Sequence, residues 1–187
     1  MNVEKDKRIS IFKSIWDDLK GVEATPVTAQ TQHPAYELPY VDETFMRSDA
    51  LRGVRLMLEL QKPEAIMDEA GIDSTVVLFG GARIPEPAKK DTARTETLAN
   101  LSDFYAEAEK FAALVTKESM ARDGKELVVV TGGGPGVMEA GNRGAVEAGG
   151  KSIGLNIVLP FEQAPNTYVT PELCFNFHYF AIRKMHF

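Results

Sequence analysis

The chain has 187 residues, of which 44% are hydrophobic and 26% are charged, the balance of an ordinary soluble globular protein. Its formal net charge of −6 provides no general attraction to nucleic acid or to an anionic membrane. No apolar run approaches the roughly 18 residues of a transmembrane helix, and the charged N-terminus lacks the apolar stretch of a signal peptide. The single cysteine, Cys174, cannot form an internal disulfide. We therefore expect a cytoplasmic protein with neither nucleic-acid nor membrane partners.

Residues 1–72 carry helical patterns and no clear strand, which predicts a helical N-terminal extension. Lys7–Lys20 places apolar side chains at the spacing of an amphipathic helix. Thr25–Pro39 holds three prolines and is typical of an irregular connector. Thr44–Leu60 is again helical in spacing, and the following proline predicts the start of a further short helix, Pro63–Gly71.

Residues 73–187 alternate between short β-branched apolar runs and amphipathic stretches. The predicted strands are Thr75–Phe79, Glu126–Thr131, Lys151–Leu159 and a weaker Leu173–Phe177, and the predicted helices are Thr92–Arg122, Val137–Ala148 and a segment from Tyr179 onward. This alternation predicts an α/β fold: a Rossmann-like doubly wound parallel sheet with a helical N-terminal extension.

A glycine-rich turn joins the second predicted strand to the next helix, in the run V-V-V-T-G-G-G-P-G-V-M-E-A. It contains Gly132, Gly133, Gly134 and Gly136. Glycines let the backbone approach a ligand closely, and the start of a helix offers free N–H groups to a phosphate. A dinucleotide fingerprint is excluded, because G-x-G-x-x-G would need glycine where valine 137 or glutamate 139 stands.

Two further segments carry groups suited to an anionic ligand. Gly80, Gly81 and Arg83 follow the first predicted strand, and ligands bind at the carboxyl ends of the strands in such sheets. Taken alone, Arg83 is explained better as a surface arginine on a loop. Arg183 and Lys184 are adjacent cations early in the last predicted helix, against the preference of the helix dipole. That placement suggests an anionic partner, although a solvated basic face explains the pair equally well.

Residues that could hold a metal or act as a nucleophile are sparse. The three histidines, His33, His178 and His186, are too scattered for a metal site. Cys174 lies in an apolar run, which favours a core position over a nucleophile. We therefore expect neither a metal nor a cofactor.

These motifs resemble the LOG ("Lonely guy") family, in its longer bacterial form. Members are cytokinin riboside 5′-monophosphate phosphoribohydrolases and are also described as possible lysine decarboxylases. The resemblance covers about residues 75–187 and rests on Gly-x-Ala-Arg after the first strand, on V-V-T-G-G-G-P-G-V-M-E-A-x-N-x-G-A and on the Arg-Lys helix. It implies a usually dimeric protein that hydrolyses an AMP-like nucleoside 5′-monophosphate to a free base and ribose 5-phosphate.

The resemblance also implies roles for individual residues. Arg183 would be a catalytic residue near the ribose phosphate, and Lys184 matches the lysine that follows it in the family. Glu139 would line the nucleotide pocket, with Met138 beside it in the nucleotide-binding set. The sequence departs from the family at Phe180-Ala181, where the family has Met-His.

The family's P-G-G-x-G-T-x-x-E motif, which supplies a phosphate loop and the catalytic glutamate, does not occur before Phe187. We therefore expect a fragment that binds nucleotide and has strongly reduced or no activity. The alternative is a non-catalytic nucleotide-binding module similar to the molybdenum-cofactor carrier proteins. A carboxylate following a second glycine loop would distinguish the two.

Overall fold

The computed structural model describes residues 14–160 and 164–187. The chain divides into two compact units, Met1–Arg52 and Gly53–Phe187. The first part of the predicted helix Lys7–Lys20 lies outside the described residues. The predicted domain boundary after residue 72 stays a prediction.

Within the first unit, the described residues from Ser14 onward form short helices and turns. Its elements are α1 (Ile15–Glu23), α2 (Glu43–Arg47) and two 3-10 turns, Pro34–Tyr36 and Asp49–Leu51. The Ser14 hydroxyl caps α1 and the Asp42 carboxylate caps α2, each by accepting a backbone N–H of the first turn. These caps satisfy donors that would otherwise have no partner within the helix.

The break between the two predicted helices lies at a different place in the structure. The predicted helix Thr44–Leu60 is divided at Ser48 into α2 and the following segment, whereas α3 runs without a break over Arg52–Glu69 with Pro63 buried inside it. Proline lacks the N–H that would bond the carbonyl of the residue four positions earlier, here Glu59. That carbonyl oxygen lies 3.1 Å from His186 Nε2 instead. A tertiary contact therefore satisfies the group that proline leaves unpaired.

The second unit is built on one sheet of four parallel strands in the order β1-β2-β3-β4. The strands are β1 (Thr75–Val77), β2 (Val128–Thr131), β3 (Ser152–Ile157) and β4 (Cys174–Phe177). Each lies inside a predicted strand, so the α/β prediction is confirmed. Beyond the strand ends, Leu78 is still buried, whereas Phe79, Val158 and Leu159 are exposed.

Four helices follow β1 in chain order. They are α4 (Glu96–Asn100), α5 (Ser102–Met120), α6 (Val137–Glu147) and α7 (Phe180–Met185), with 3-10 turns at Pro87–Thr92 and Pro171–Leu173. The helix predicted over Thr92–Arg122 is thus divided at Leu101, which ends α4 and precedes α5. Thr95 caps α4 with its hydroxyl.

Helices cover both faces of the sheet. Ala112 of α5 and Ala145 of α6 both pack on Val129. The two helices therefore lie on the same face, as expected when successive crossovers of one hand connect parallel strands in chain order. Ile66 of α3 and Ile182 of α7 pack against the core on the opposite face. The sheet is therefore buried on both sides, as in Rossmann-like folds. No helix among the described residues is long and apolar enough to cross a membrane.

Candidate functional site

The two glycine loops predicted from the sequence meet at the carboxyl edge of the sheet. The Val137 N–H at the start of α6 donates to the Gly81 carbonyl at 3.2 Å. A Cβ on Gly80 would overlap Val137, and one on Gly136 would overlap the Gly81 carbonyl oxygen. Side chains at these glycines would therefore push the two loops apart.

A buried polar network holds the Gly132–Gly136 turn from inside the protein. The Thr131 hydroxyl donates to Asn142 Oδ1 at 2.7 Å and accepts the Gly133 N–H at 2.9 Å. The Asn166 amide donates to the Gly133 carbonyl at 3.1 Å and to Asn142 Oδ1 at 2.9 Å. The sequence analysis did not identify Thr131, Asn142 or Asn166 as residues that hold the turn. Asn142 had a usable signal, because it is an amide on the buried face of a predicted helix.

Contacts within the protein explain the glycine content of the turn. Gly133 has φ +71, and a Cβ there would overlap the Asn156 amide. A Cβ on Gly132 would lie 2.6 Å from Arg183 Nη2 and 2.8 Å from Met138 Sδ. A Cβ on Gly134 would lie 2.8 Å from Met138 Cε. Met138 therefore packs on the turn. The overlaps at Gly132 and Gly134 involve the ends of flexible side chains, which can move, so packing favours glycine most strongly at Gly133, where the positive φ adds to the overlap.

A cavity of about 760 Å³ lies beside the Pro135–Gly136 end of the turn. Its charged lining comprises three cations and two carboxylates: Arg83, Lys89, Arg94, Glu86 and Glu139. Gly136 also lines the cavity and begins α6 without any side-chain cap. The predicted residues Arg83, Gly136 and Glu139 are thus brought together. Lys89 and Arg94, which lie in the connector after Gly80–Arg83 and belong to no recognisable motif, were missed.

The cations of the cavity differ in their partners. Lys89 Nζ lies 2.5 Å from Glu86 Oε1, and Arg143 Nη1 lies 3.3 Å from Glu86 Oε2. The Lys89 hydrogen bond, assisted by the charge of Arg143, lowers the pKa of Glu86. Across residues 14–160 and 164–187, no carboxylate lies within ion-pair distance of Arg83 or Arg94.

Tyr105 holds Glu139 at the cavity. Its side chain is 2% exposed, and its hydroxyl donates to Glu139 Oε1 at 3.0 Å. Burial, and then the negative charge of Glu139, raise the pKa of Tyr105 well above its usual value. The hydroxyl therefore stays protonated and occupies one oxygen of the carboxylate.

Arg183 contacts the glycine turn at Gly132, the end opposite the cavity. Its Nε donates to the Leu155 carbonyl at 2.6 Å, and its guanidinium lies 5.8 Å from the Phe180 ring and 5.2 Å from the Phe187 ring. Burial lowers the pKa of Arg183. Arg183 faces Gly132 and is outside the cavity lining.

Lys184 is exposed, also outside the cavity lining, with its Nζ 5.0 Å from the Phe180 ring. The expectation that Arg183 and Lys184 oppose the helix dipole is wrong. In the structure both cations lie in the last turn of α7, where the dipole favours cations.

Among the described residues, no group of three or more His, Cys, Asp and Glu side chains is arranged to hold a metal. Cys174 is half-buried in β4, and burial raises the pKa of its thiol. A raised pKa is the opposite of what a nucleophilic thiolate needs.

Comparison with known proteins gives one match. Residues 103–171 match the model of the SLOG cluster4 family, LDcluster4, and no curated protein matches the chain. The matched segment contains β2, the glycine turn, α6 and β3. The SLOG superfamily includes LOG-like proteins, so the match agrees with the resemblance seen in the motifs, and it indicates that residues 103–171 form a nucleotide-related module of the SLOG type.

Proposed function

We propose that this chain binds a nucleoside 5′-monophosphate at the carboxyl edge of the sheet, in the service of N-glycosidic bond hydrolysis of the LOG type. The observation that carries the proposal is the pair of guanidinium groups, Arg83 and Arg94, in the cavity beside α6, for which the described residues offer no carboxylate within ion-pair distance. The protein as a whole has a net charge of −6, so these cations are a local reversal of its charge. We also propose that the protein acts as a homodimer in the cytoplasm.

The phosphate is best accommodated in the cavity. Guanidinium groups form paired, charge-assisted hydrogen bonds with phosphate oxygens. Because α6 starts at Gly136 without a side-chain cap, the N–H groups that follow Val137 and the positive end of the helix dipole also favour an anion there. The cavity volume of about 760 Å³ is within the range of small-molecule sites.

The reacting part of the ligand would lie along the glycine turn. Cleavage of an N-glycosidic bond builds positive charge on the ribose, which a carboxylate stabilises. Glu139 is at the cavity, and Tyr105 occupies one of its oxygens. Arg183, the candidate catalytic residue, faces Gly132, so a ligand that it touches must extend from the cavity to that end of the turn.

The second candidate is a non-catalytic nucleotide-binding module. One observation favours it: Glu86 has both carboxylate oxygens in ion pairs, and Glu139 has one oxygen bonded by Tyr105. A binding site works with such partnered carboxylates, whereas hydrolysis requires one that can face the ribose.

Titration calorimetry with AMP, adenosine and ribose 5-phosphate tests the binding. We expect Arg83→Gln and Arg94→Gln each to lower the affinity for AMP about tenfold, the scale of a charge-assisted hydrogen bond, and to leave adenosine binding unchanged. Arg122→Gln is the matched control. Arg122 is an exposed arginine that is paired with Glu118 and Glu126 and is absent from the cavity lining.

Failure of the wild-type protein to bind AMP would overturn the proposal, and equal losses for AMP and adenosine would contradict phosphate recognition. Chromatography of the AMP mixtures separates the two candidates. Adenine released by the wild-type chain and not by Arg183→Gln supports the hydrolase. AMP binding without adenine release supports the binding module.

A further inference from the structure

Helix α7, which carries Arg183, has no side-chain cap of its own. It has six residues, and its N-cap residue Tyr179 makes no side-chain cap hydrogen bond. The first N–H groups of a helix have no acceptor within the helix. The acceptors come from α3: Glu59 Oε1 accepts the His178 N–H at 2.8 Å, and Glu59 Oε2 accepts the Tyr179 N–H at 3.0 Å.

The same residue also holds the other end of α7. The Glu59 carbonyl has no partner within α3, because Pro63 four residues later has no N–H. His186, the C-cap residue of α7, places its Nε2 3.1 Å from that oxygen. A carbonyl oxygen can only accept, so this contact requires the proton to be on Nε2.

Both oxygens of the Glu59 carboxylate are used in the hydrogen bonds to the start of α7. The carboxylate is half-buried, and in the described part of the chain no lysine, arginine or histidine lies within ion-pair distance of it. Each of its oxygens accepts a backbone N–H instead. A negative charge at the N-terminus of a helix is favourable, which adds to the two hydrogen bonds.

The position of α7 determines where the Arg183 guanidinium lies. Arg183 Nε bonds the Leu155 carbonyl at 2.6 Å, and Nη2 lies 2.6 Å from where a Cβ on Gly132 would be. The guanidinium group therefore lies against Gly132. A shift of about 1 Å in a group that contacts a ligand is enough to weaken its action substantially.

We propose that Glu59 is a positioning residue for the ligand site. Its carboxylate and its carbonyl, which together we name the Glu59 clamp, hold the two ends of α7 and so keep Arg183 against the glycine turn. The inference rests on the proposed function in one respect only, namely that Arg183 contacts the nucleotide.

NMR spectroscopy of the wild-type chain and its variants tests the clamp directly. We expect Glu59→Gln and Glu59→Ala to shift the Arg183 Nε–H resonance and to speed hydrogen exchange of the α7 amides about tenfold. Glu64→Gln, which changes an exposed glutamate on the same helix, should change neither. Pro63→Ala adds an N–H that competes for the Glu59 carbonyl, so the His186 ring signals should shift while the carboxylate contacts remain.

AMP affinity links the clamp to binding. Glu59→Gln should weaken AMP binding about tenfold in the wild-type background and have no effect in the Arg183→Gln background, because the clamp acts only through Arg183. A loss of the same size in both backgrounds would overturn the positioning role.

The two proposals fail in distinguishable ways. An Arg183 Nε–H signal unchanged in both Glu59 variants overturns the clamp, whatever happens to AMP. A shifted signal in a protein whose wild type binds no AMP supports the clamp and overturns the proposed function.

Discussion

At the residue scale, the hydrogen bond from Tyr105 to Glu139 connects α5 with the start of α6. The tyrosine is 2% exposed, so the folded protein disfavours its charged form, and Glu139 adds a second negative charge close by. Ionisation would place two anions together in a buried position. The bond therefore depends on a neutral Tyr105.

The raised pKa of Tyr105 predicts a specific loss of stability in alkali. Above about pH 10 the unfolded chain releases the tyrosine proton while the folded chain retains it. The contribution is complete below that pH, and the free energy of unfolding should then fall by about 1.4 kcal/mol for each further pH unit. Tyr105→Phe should lack this slope in urea unfolding experiments, whereas Tyr36→Phe, at an exposed tyrosine, should retain it. Parallel pH profiles for wild type and Tyr105→Phe would refute the assignment.

At the element scale, the Gly132–Gly136 turn packs closely against the loop that follows β1. Gly133 needs both its left-handed backbone, φ +71, and the absence of a Cβ, since Asn156 occupies that space. Gly149, which ends the following helix, has φ +87 but no atom within 4 Å of a built Cβ. A side chain at Gly149 would cause backbone strain alone, whereas one at Gly133 would cause backbone strain and steric overlap.

Replacing each glycine by alanine should show that difference in urea unfolding. Gly149→Ala should cost about 1 kcal/mol, the strain of a left-handed alanine. Gly133→Ala should cost about 3 kcal/mol, because overlap with the Asn156 amide adds to the same strain. Equal losses would show that Asn156 moves away without cost and that the turn is less tightly packed than the contacts indicate.

At the scale of the whole molecule, charge is distributed unevenly. The chain carries a net charge of −6, while the cavity lining has three cations and two carboxylates. A nucleoside monophosphate is therefore repelled by the protein at long range and attracted at the cavity. Salt screens both interactions, with a Debye length of about 10 Å at 0.1 M ionic strength.

The effect of salt on AMP affinity should be determined mainly by the attraction at the cavity and less by the long-range repulsion from the net negative charge. Raising sodium chloride from about 0.05 M to about 0.5 M should weaken AMP binding several-fold and leave adenosine binding unchanged, because only AMP carries the phosphate. Calorimetric titrations at the two salt concentrations measure the difference. AMP binding that strengthens with salt would mean that the net negative charge, and not the cavity, controls the encounter.

Much of the second unit could be predicted from local pattern. Val128–Thr131 and Ser152–Ile157 are short β-branched or apolar runs between turn residues. Such runs form parallel strands that are buried on both faces, because the side chains on either face of the strand are apolar. The meeting of the Gly80 and Gly132 loops followed from parallel strand direction alone. The cavity set was predicted only in part, since Lys89 and Arg94 belong to a connector without a recognisable motif.

By itself, then, the sequence determined the alternation of strands and helices, the glycine turn between β2 and α6, and the resemblance that pointed to nucleotides. Those are consequences of neighbouring residues, whose preferences act over a few positions. Only the tertiary structure decided that α3 continues through Pro63 and that Arg183 lies at Gly132. Both depend on partners more than a hundred residues away, His186 for the Glu59 carbonyl and Glu59 for the backbone of α7. No local pattern specifies such pairs, because an unpaired carbonyl or an uncapped helix takes whichever partner the packed fold brings to it.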